Sequence, residues 1–222
     1  MLLDQIAYNI LNLARGGDSS DDDRLTLRQI KFWIKSYRAK NISVFTDYGK
    51  DIDPQLIQDM GCVTLTEVDK AQSSTAKWGC NIGTATLPSI VDLPKNRGLV
   101  FVGLMDKQTP IEIVTGSTIA YLRDSRITGN IPRAYIIGNT LYVDTPSTNI
   151  LKYINVRGVF DDPNEIQTCT LAGVCTYLRD DQDDYPIPAR MIPLITQEIL
   201  QKELNITLQV KGDEIGNTRD DT

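Results

Sequence analysis

The first residues of the chain mix apolar and polar positions with the period of an α-helix. Four apolar residues recur at spacings of three and four, namely Leu3, Ile6, Ile10 and Leu13. Because residues at these spacings share one face of a helix, we predict a helix from Leu2 to Ala14. Two glycines, at positions 16 and 17, are expected to end it, since glycine readily adopts the left-handed conformation that closes a helix.

A second amphipathic helix is predicted after the short acidic loop GGDSSDDDR. Thr26 and Gln29 have the spacing of a capping box, which satisfies the free amides of a first helical turn. This helix is expected to run to about Asn41. Its apolar face comprises Ile30, Trp33, Ile34 and Tyr37, and the rest is made basic by Lys31, Lys35, Arg38 and Lys40. Two such helices joined by a short polar loop predict an antiparallel helical hairpin.

The pattern changes to that of strands near residue 62. Before this point, Asp53-Pro54 is expected to begin a short helix that is stopped by Gly61, with an apolar face formed by Leu56, Ile57 and Met60. From Cys62, the run CVTLTEV alternates apolar and polar residues as a half-buried strand does. The run GLVFVGLM, residues 98–105, is rich in β-branched residues and predicts a buried strand.

The strongest local signal is the run RAYIIGNTLYVDTP. Strands are predicted at 134–137 and 140–143, and the Gly138-Asn139 pair between them is typical of a tight hairpin turn. The run ILKYINVRGVF, residues 150–160, is expected to add a third antiparallel strand. The run IEIVTG is either a hairpin partner of strand 98–105 or the lead into a short helix at 117–123.

The last part of the chain returns to helix. Tyr185-Pro186-Ile187-Pro188 predicts a stiff extended entry to a helix from Ala189 to about Leu204, with Pro193 near the first turn, where a missing amide donor costs little. The fold class is therefore α+β, with an N-terminal helical hairpin, a central antiparallel β-rich region, and a C-terminal helix and flexible tail. The expected divisions are a helical region at 1–60, a β-rich core at 61–165, a C-terminal helical segment at 166–212 and a flexible tail at 213–222.

The amino-acid composition excludes more classes of function than any sequence motif does. The chain of 222 residues has no histidine, which removes Ser-His-Asp and Cys-His catalysis and histidine-containing metal sites. Its net charge of −6 argues against non-specific nucleic-acid binding, which depends on clustered lysine and arginine. No apolar run approaches the length of a membrane span. Buried structural thiols are the expected state of the four cysteines, Cys62, Cys80, Cys169 and Cys175.

The remaining candidates for chemistry have structural explanations that we prefer. The run Gly79 to Gly83 lacks the spacing of a phosphate loop and is expected to be a turn or bulge. Trp33 and Trp78 are possible stacking platforms for single-stranded nucleic acid, although Trp33 lies on an apolar helix face. The acidic clusters, which lack the spacing of a calcium loop and fit surface loops, are Asp21 to Asp23, Asp161-Asp162, and the run Asp180, Asp181, Asp183 and Asp184. We therefore predict no catalytic residue, no cofactor-binding residue, no metal ligand and no cofactor, and hence no enzyme.

Three stretches of the chain resemble a known group of proteins. They are DSSDDDRLTLRQIKFWIKSYRAKNI with the helix before it, RAYIIGNTLYVDTPSTNILKYINVRGVFDDPNEI, and YPIPARMIPLITQEILQKELN. Their order resembles the structural proteins of crAss-like, podovirus-type phages of gut Bacteroidales, in particular the ring or adaptor subunits stacked below the portal. The resemblance covers most of the chain and is weakest around residues 70–97.

The resemblance implies a virion protein, assembled in the host bacterial cytoplasm, that connects head to tail. It implies a homo-oligomeric ring of twelve subunits like the portal, with the portal and neighbouring ring or tail proteins as partners, and DNA that passes through the channel without specific binding. No membrane partner is expected. Three rival hypotheses are another virion component such as a tail-hub or stopper protein, a carboxylate-dependent hydrolase assisted by a metal, and a phage-encoded binding module that is absent from the particle.

Overall fold

The computed structural model describes residues 1–16, 25–48, 51–68, 81–93, 98–123, 131–145, 151–169, 175–177 and 183–204. The α-helices in these residues are α1 (Leu3–Ala14), α2 (Leu27–Asp47), α3 (Gly116–Arg123) and α4 (Met191–Lys202). The strands are β1 (Gln58–Thr64), β2 (Thr66–Glu67), β3 (Asn81–Thr86), β4 (Leu99–Gly103), β5 (Glu112–Ile113), β6 (Arg133–Ile137), β7 (Thr140–Thr145), β8 (Tyr153–Gly158), β9 (Gln167–Cys169) and β10 (Cys175–Tyr177).

The N-terminal helical hairpin is confirmed, and α4 packs on it to form a three-helix layer. The Thr26 hydroxyl oxygen accepts a hydrogen bond from the Gln29 amide at 3.3 Å, so α2 begins where the capping pattern predicts. It continues past the expected end near Asn41 to Asp47. The side chains at the centre of this layer are fully buried and come from all three helices, including Ile6, Ile10, Ile30, Ile34, Ile195 and Ile199.

The middle of the chain forms two main sheets that enclose a second hydrophobic core. One sheet has the strand order β1-β8-β4, and the other has the order β2-β3-β7-β6-β5. The core between them takes residues from both sheets, among them Val63, Val102, Ala134, Leu141 and Val156. The region is therefore a small sandwich whose strands alternate inward apolar and outward polar residues.

Two segments pass from one sheet to the other. β1 leads into β2 through Leu65, whose amide donates to the Lys152 carbonyl at 2.8 Å. On the other flank, Ile111 donates its amide to the Val102 carbonyl at 2.7 Å and the chain then enters β5. The flank formed by β1 to β3 is thus opposite the flank formed by β4 to β6.

The short helix predicted to end at Gly61 is wrong beyond its first turn. Only Pro54–Leu56 form a single 3-10 turn, which Asp53 caps through its side chain, and β1 begins at Gln58. Gly61 lies in a bulge of β1, where the pairing register with β8 shifts between Asp59 and Cys62. Pairing with a distant strand therefore outweighs the local helical pattern of Ile57 and Met60.

The hairpin at Gly138-Asn139 is confirmed, and the third antiparallel strand is present as β8, in the other sheet. β6 and β7 pair antiparallel around this turn, and Gly138 has the positive φ of 59° that the turn requires. β8 pairs with β1 and β4 instead of joining the hairpin. The β-rich region is also not wholly antiparallel, because β5 pairs with β6 in parallel, while the short helix predicted at 117–123 is confirmed as α3.

The observed elements begin at positions that can be compared with the expected divisions of the chain. Strand pairing begins at Gln58, and the segment 166–212 opens with the ribbon of β9 and β10 before α4 begins at Met191. Pro193 lies in the first turn of α4, as predicted. The tail at 213–222 lies outside the described residues. The α+β class is confirmed, and the four divisions stay a prediction.

Candidate functional site

The helical layer and the sandwich meet at Arg38, a basic residue whose side chain is buried. Its Nη1 donates to the carbonyl oxygen of Phe160 at 2.8 Å, just after β8. Its Nε donates to the carbonyl oxygen of Pro186 at 3.0 Å, in the extended entry to α4. A single guanidinium group therefore holds α2, the end of β8 and the entry to α4 together, because it can donate in several directions from one rigid plane.

Tyr185 packs beside this guanidinium group. The centre of its ring is 5.7 Å from Arg38 Cζ, a distance that suits a cation–π contact. Burial raises the pKa of the Tyr185 hydroxyl to about 12, although the charge of Arg38 opposes this shift. The hydroxyl stays protonated at neutral pH, and the buried ring contributes to the packing of the junction.

The lysines of α2 are paired with acids of the same chain. Lys31 forms an ion pair with Asp4 of α1, and Lys35 forms one with Asp162. Lys40 Nζ lies 3.0 Å from Glu198 Oε1 of α4. The basic stripe of α2 is thus largely neutralised within the subunit, which weakens its interpretation as a nucleic-acid patch.

Glu198 is the centre of the polar contacts between α2 and α4. Its carboxylate accepts hydrogen bonds from Lys40 at 3.0 Å, from Asn41 at 3.0 Å and from Lys202 at 2.6 Å. Burial opposes ionisation, but the hydrogen bonds from Lys202, Lys40 and Asn41 outweigh it and lower the pKa of Glu198. The carboxylate is therefore a fixed anion that aligns the two helices.

Asp59 occupies the bulge of β1 and gathers several donors. Its carboxylate accepts from Asn155 Nδ2 at 2.7 Å, from the Gly61 amide at 2.8 Å and from Lys107 Nζ at 2.8 Å. Arg157 Nε lies 3.3 Å from the same carboxylate. Burial alone raises the pKa of Asp59, but these bonds outweigh it and the pKa is lowered. Asp59 thus ties the loop that carries Lys107 to β1 and β8.

Two exposed surfaces carry aromatic residues. The first, called the α2 groove, lies between the outer face of α2 and the segment after β8, and it is lined by Arg28, Lys31, Phe32, Lys35, Ser36, Ala39, Asp161, Asp162 and Glu165. Phe32 is 67% exposed. The second, called the α3 face, is formed by α3 and by β6, which α3 contacts, and its exposed apolar residues include Tyr121, at 83% exposure, and Ile137. Neither aromatic ring is needed in either hydrophobic core.

A sequence model of the family described as phage tail ring protein 2, of the crAss ring 2 type, matches residues 5–222. This match spans nearly the whole chain. The chain belongs to the phage tail ring protein 2 family. No curated protein matches it in sequence.

Membership of this family makes the chain a ring protein of a crAss-like phage and a component of the virion tail. The resemblance seen in the sequence is therefore confirmed at the level of the family. A structural ring family favours a role other than catalysis. No helix in the part of the chain that the structure describes is both long and apolar enough to cross a lipid bilayer.

The residues that the sequence singled out for chemistry do not come together into one site. Trp33 packs against the helical core, in agreement with its position on the apolar face, and Trp78 lies outside the described residues. Asp161 and Asp162 lie together at the α2 groove, whereas Asp183 and Asp184 are exposed before the entry to α4. Among the described residues, no three Cys, Asp or Glu side chains are grouped to hold a metal ion.

The cysteines and the glycine run have structural positions. Cys62 is buried in β1, where burial raises the pKa of its thiol. The register of the β9–β10 ribbon sets Cys169 opposite Cys175, and Cys80 is outside the described residues. The turn expected at 79–83 is wrong for its second half, since β3 begins at Asn81.

Arg38 is the residue of the junction that sequence reasoning misplaces. The charge pattern assigns it to the basic part of α2, but it is buried with Ile34 and Ile42. The signal that could have found it is the spacing of four residues that Arg38 shares with Ile30, Ile34 and Ile42.

Proposed function

We propose that the phage tail ring protein is one subunit of a closed homo-oligomeric ring, with twelve copies like the portal, that joins the head to the tail. The match to the ring family over residues 5–222 carries this proposal. A ring of identical subunits needs two different complementary surfaces on each copy, since every subunit meets its neighbours head to tail. The α2 groove and the α3 face, which differ in composition, are our candidates for these two surfaces.

We propose further that the ring forms part of the channel through which DNA passes without specific binding. The net charge of −6 supports this proposal, because a wall rich in carboxylates repels phosphates and does not retain them. The ion pairs of Lys31, Lys35 and Lys40 support it as well, since the paired acids neutralise positive charges that would otherwise attract DNA phosphates. The acidic run Asp180 to Asp184 is our candidate for the channel wall.

The proposed partners are the portal and the neighbouring ring or tail proteins. We propose that the residues after Gly212 dock on one of these neighbours during assembly in the host cytoplasm. This proposal is supported by the sequence DEIGNTRDDT, which is polar and has Ile215 as its one large apolar residue.

Reconstruction of purified particles by electron cryo-microscopy, without imposed symmetry around the head–tail junction, tests the proposal. The expected result is a twelve-fold ring in the stack between the portal and the tail, in which the three-helix layer and the sandwich fit each subunit. A ring of this fold at the tail hub, or a single copy that closes the channel, would favour a tail-hub or stopper protein.

The binding-module and hydrolase hypotheses predict different results. A phage-encoded binding module would be present in infected cells and missing from particles. A metal-assisted hydrolase would bind Mg²⁺ or Ca²⁺ tightly, which isothermal titration of the full chain detects directly.

A further inference from the structure

The ribbon of β9 and β10 places two cysteines directly opposite each other. Its antiparallel register pairs Cys169 with Cys175, two positions along from the pair formed by Gln167 and Tyr177. Opposite residues of an antiparallel pair belong to the same face of a ribbon, because the two faces alternate along each strand with a period of two. The register therefore brings two thiol-bearing residues to one position of one face.

The spacing of opposite strand positions suits a disulfide bond. In an antiparallel pair, opposite Cα atoms are about 4.5 Å or about 5.5 Å apart, depending on the hydrogen-bonding position. A disulfide joins residues whose Cα atoms are about 4.4–6.8 Å apart. Both strand spacings lie within this range, so a bond between Cys169 and Cys175 is compatible with the backbone of the ribbon.

A covalent bond would add substantially to the stability of this ribbon. β9 and β10 have three residues each and form a sheet of two strands. An isolated ribbon of two such short strands is only marginally stable in water. β9 also contacts β1 of the sandwich. A bond at the end of β9 would therefore fasten β10 to a strand that the sandwich supports.

The described end of the ribbon is open to solvent on both faces. Gln167 and Thr176 are exposed, and Tyr177 is 64% exposed. Thr176 and Tyr177 are consecutive in β10, so they belong to opposite faces of the ribbon. A small dissolved oxidant can therefore approach this end of the ribbon from either side.

We propose that Cys169 and Cys175 are thiols when the chain folds in the cell and form an intrachain disulfide in the released particle. The cytoplasm keeps thiols reduced, whereas disulfides persist on the surfaces of virions. As a component of the virion tail, the chain meets these two conditions in turn. The bond closes a loop of seven residues, 169–175, and requires neither a particular ring symmetry nor contact with the portal.

The oxidant is a small organic disulfide such as oxidised glutathione. The thiolate of one cysteine attacks a sulfur of this molecule, which forms a mixed disulfide and releases one small thiol. The thiolate of the other cysteine then attacks the protein sulfur of the mixed disulfide and releases the second small thiol. The two protein thiols thus lose two electrons and two protons, all of which the two small thiols carry away.

Peptide mapping of purified particles tests the bond. No lysine or arginine lies between Arg157 and Arg179, so trypsin leaves both cysteines in the single peptide 158–179. Particles are denatured with an alkylating reagent and no reductant. The peptide should be lighter than the dithiol form by two hydrogens, and it should take up two alkyl groups only after reduction. In infected cells lysed into the same reagent, it should take up both without reduction.

Cys62 is the matched internal control. It also lies in an antiparallel strand pair, but the residue opposite it is Asn155, so its register offers no second thiol. Cys62 should therefore be alkylated without reduction in the same denatured particles. This result would show that the preparation itself had not oxidised the thiols of the chain.

Hydrogen exchange of the full chain tests what the bond does. Closing a loop of seven residues shifts the equilibrium between separated and paired strands by roughly fiftyfold in the chain-entropy model. Oxidised glutathione should therefore slow amide exchange in β9 and β10 by about tenfold or more. The Cys169→Ser/Cys175→Ser variant should show no such change, and Cys62→Ser should respond as wild type does.

The outcomes separate this inference from the proposed function. Alkylation of both cysteines without reduction in particles would overturn the disulfide and leave the ring proposal standing. A bond between two copies, seen as a dimer on a non-reducing gel, would also overturn it, since the proposed bond lies within one chain. An intrachain bond that leaves exchange unchanged would refute its role in fastening the ribbon. Absence of the chain from particles would instead contradict the proposed function, and oxidation of the purified chain would still test the pair.

Discussion

The side chain of Arg38 donates a hydrogen bond from Nη1 to the carbonyl oxygen of Phe160 at 2.8 Å, across the boundary between the helical layer and the sandwich. Phe160 belongs to the core of the sandwich, whereas Tyr185, beside the same guanidinium group, belongs to the helical core. The two cores are therefore joined through a buried cation and two backbone carbonyls in addition to apolar contact.

Replacing Arg38 by alanine should destabilise the protein strongly. The change leaves the buried carbonyl oxygens of Phe160 and Pro186 without this donor, and each lost bond to a charged group costs about 1.5–3 kcal/mol. We expect the free energy of unfolding, measured with urea, to fall by about 3 kcal/mol or more. Arg28→Ala, an exposed arginine of the same helix, is the matched control and should change it by less than about 0.5 kcal/mol. Equal free energies of unfolding for the two variants would contradict the role of Arg38 at the junction.

Asp59→Asn should reduce the dependence of stability on acid pH. The folded-state pKa of Asp59 lies below its ordinary value of 3.8, so its contribution is present above that value and is lost as the pH falls through the folded-state pKa. We expect the variant to lose about 1 kcal/mol at pH 7 and to converge with wild type in acid. Urea unfolding from pH 7 to pH 3 measures this, with Asp92→Asn as an exposed control. A constant difference at every pH would show that the carboxylate charge is not responsible.

Gly103→Ala should be far more damaging than Gly138→Ala. A Cβ at Gly103 would lie 2.5 Å from the Thr109 carbonyl oxygen and would also meet the Phe101 ring. The cost of such overpacking is about 3 kcal/mol. A Cβ at Gly138 would meet no atom within 4 Å, so only its positive φ is penalised, by about 1 kcal/mol. Thermal unfolding of both variants compares the costs, and the reverse order would contradict the packing of β4 against the Thr109 carbonyl.

Deleting residues 213–222 should impair assembly without affecting the fold. These residues are proposed to dock on a neighbouring protein, so the truncated chain should unfold like wild type yet join fewer particles. Quantification of the chain in purified particles measures the effect, and a chain with the same ten residues in scrambled order is the control. Normal incorporation of the truncated chain would exclude the tail as a docking element.

Reversing the acidic run should slow the release of DNA. Lysine at positions 180, 181, 183 and 184 would attract the phosphates that the proposed channel wall repels. Ejection triggered in purified particles, followed by the fluorescence of a DNA-binding dye, should be slower than in wild type. Reversal of Asp21 to Asp23 is the matched control. Equal rates in the two variants would place the acidic run outside the channel.

Short sequence patterns predict the structure correctly where it depends on residues close together in the chain. Thr26 caps α2 and Gly138 forms the hairpin turn, because each acts on residues within four positions. Such signals fail where distant strands decide the outcome. Gly61 lies in a strand because β8, almost a hundred residues later, pairs with β1. The pairing partners of β8 could not be predicted from its alternating apolar and polar residues, because this pattern indicates a strand but not the strands beside it.

The junction is harder to predict than the fold because it depends on a buried charge. Lysine and arginine are rarely buried without a partner, so the pattern assigns a basic residue at position 38 to the solvent-facing part of α2. Its partners are backbone carbonyls of Phe160 and Pro186, which have no signature in the sequence. The exposure of Phe32 was also unpredictable, since the same pattern fits a residue buried by a neighbouring element.

Quantitative mass spectrometry of purified particles, scaled to the portal subunit, tests the central claim most directly. A ring subunit that joins the portal to the tail should be present at parity with the portal and should remain after stringent washing. Absence of the protein from the particle, or a trace that washing removes, would contradict the account. It would favour the hypothesis of a phage-encoded binding module that is not part of the particle.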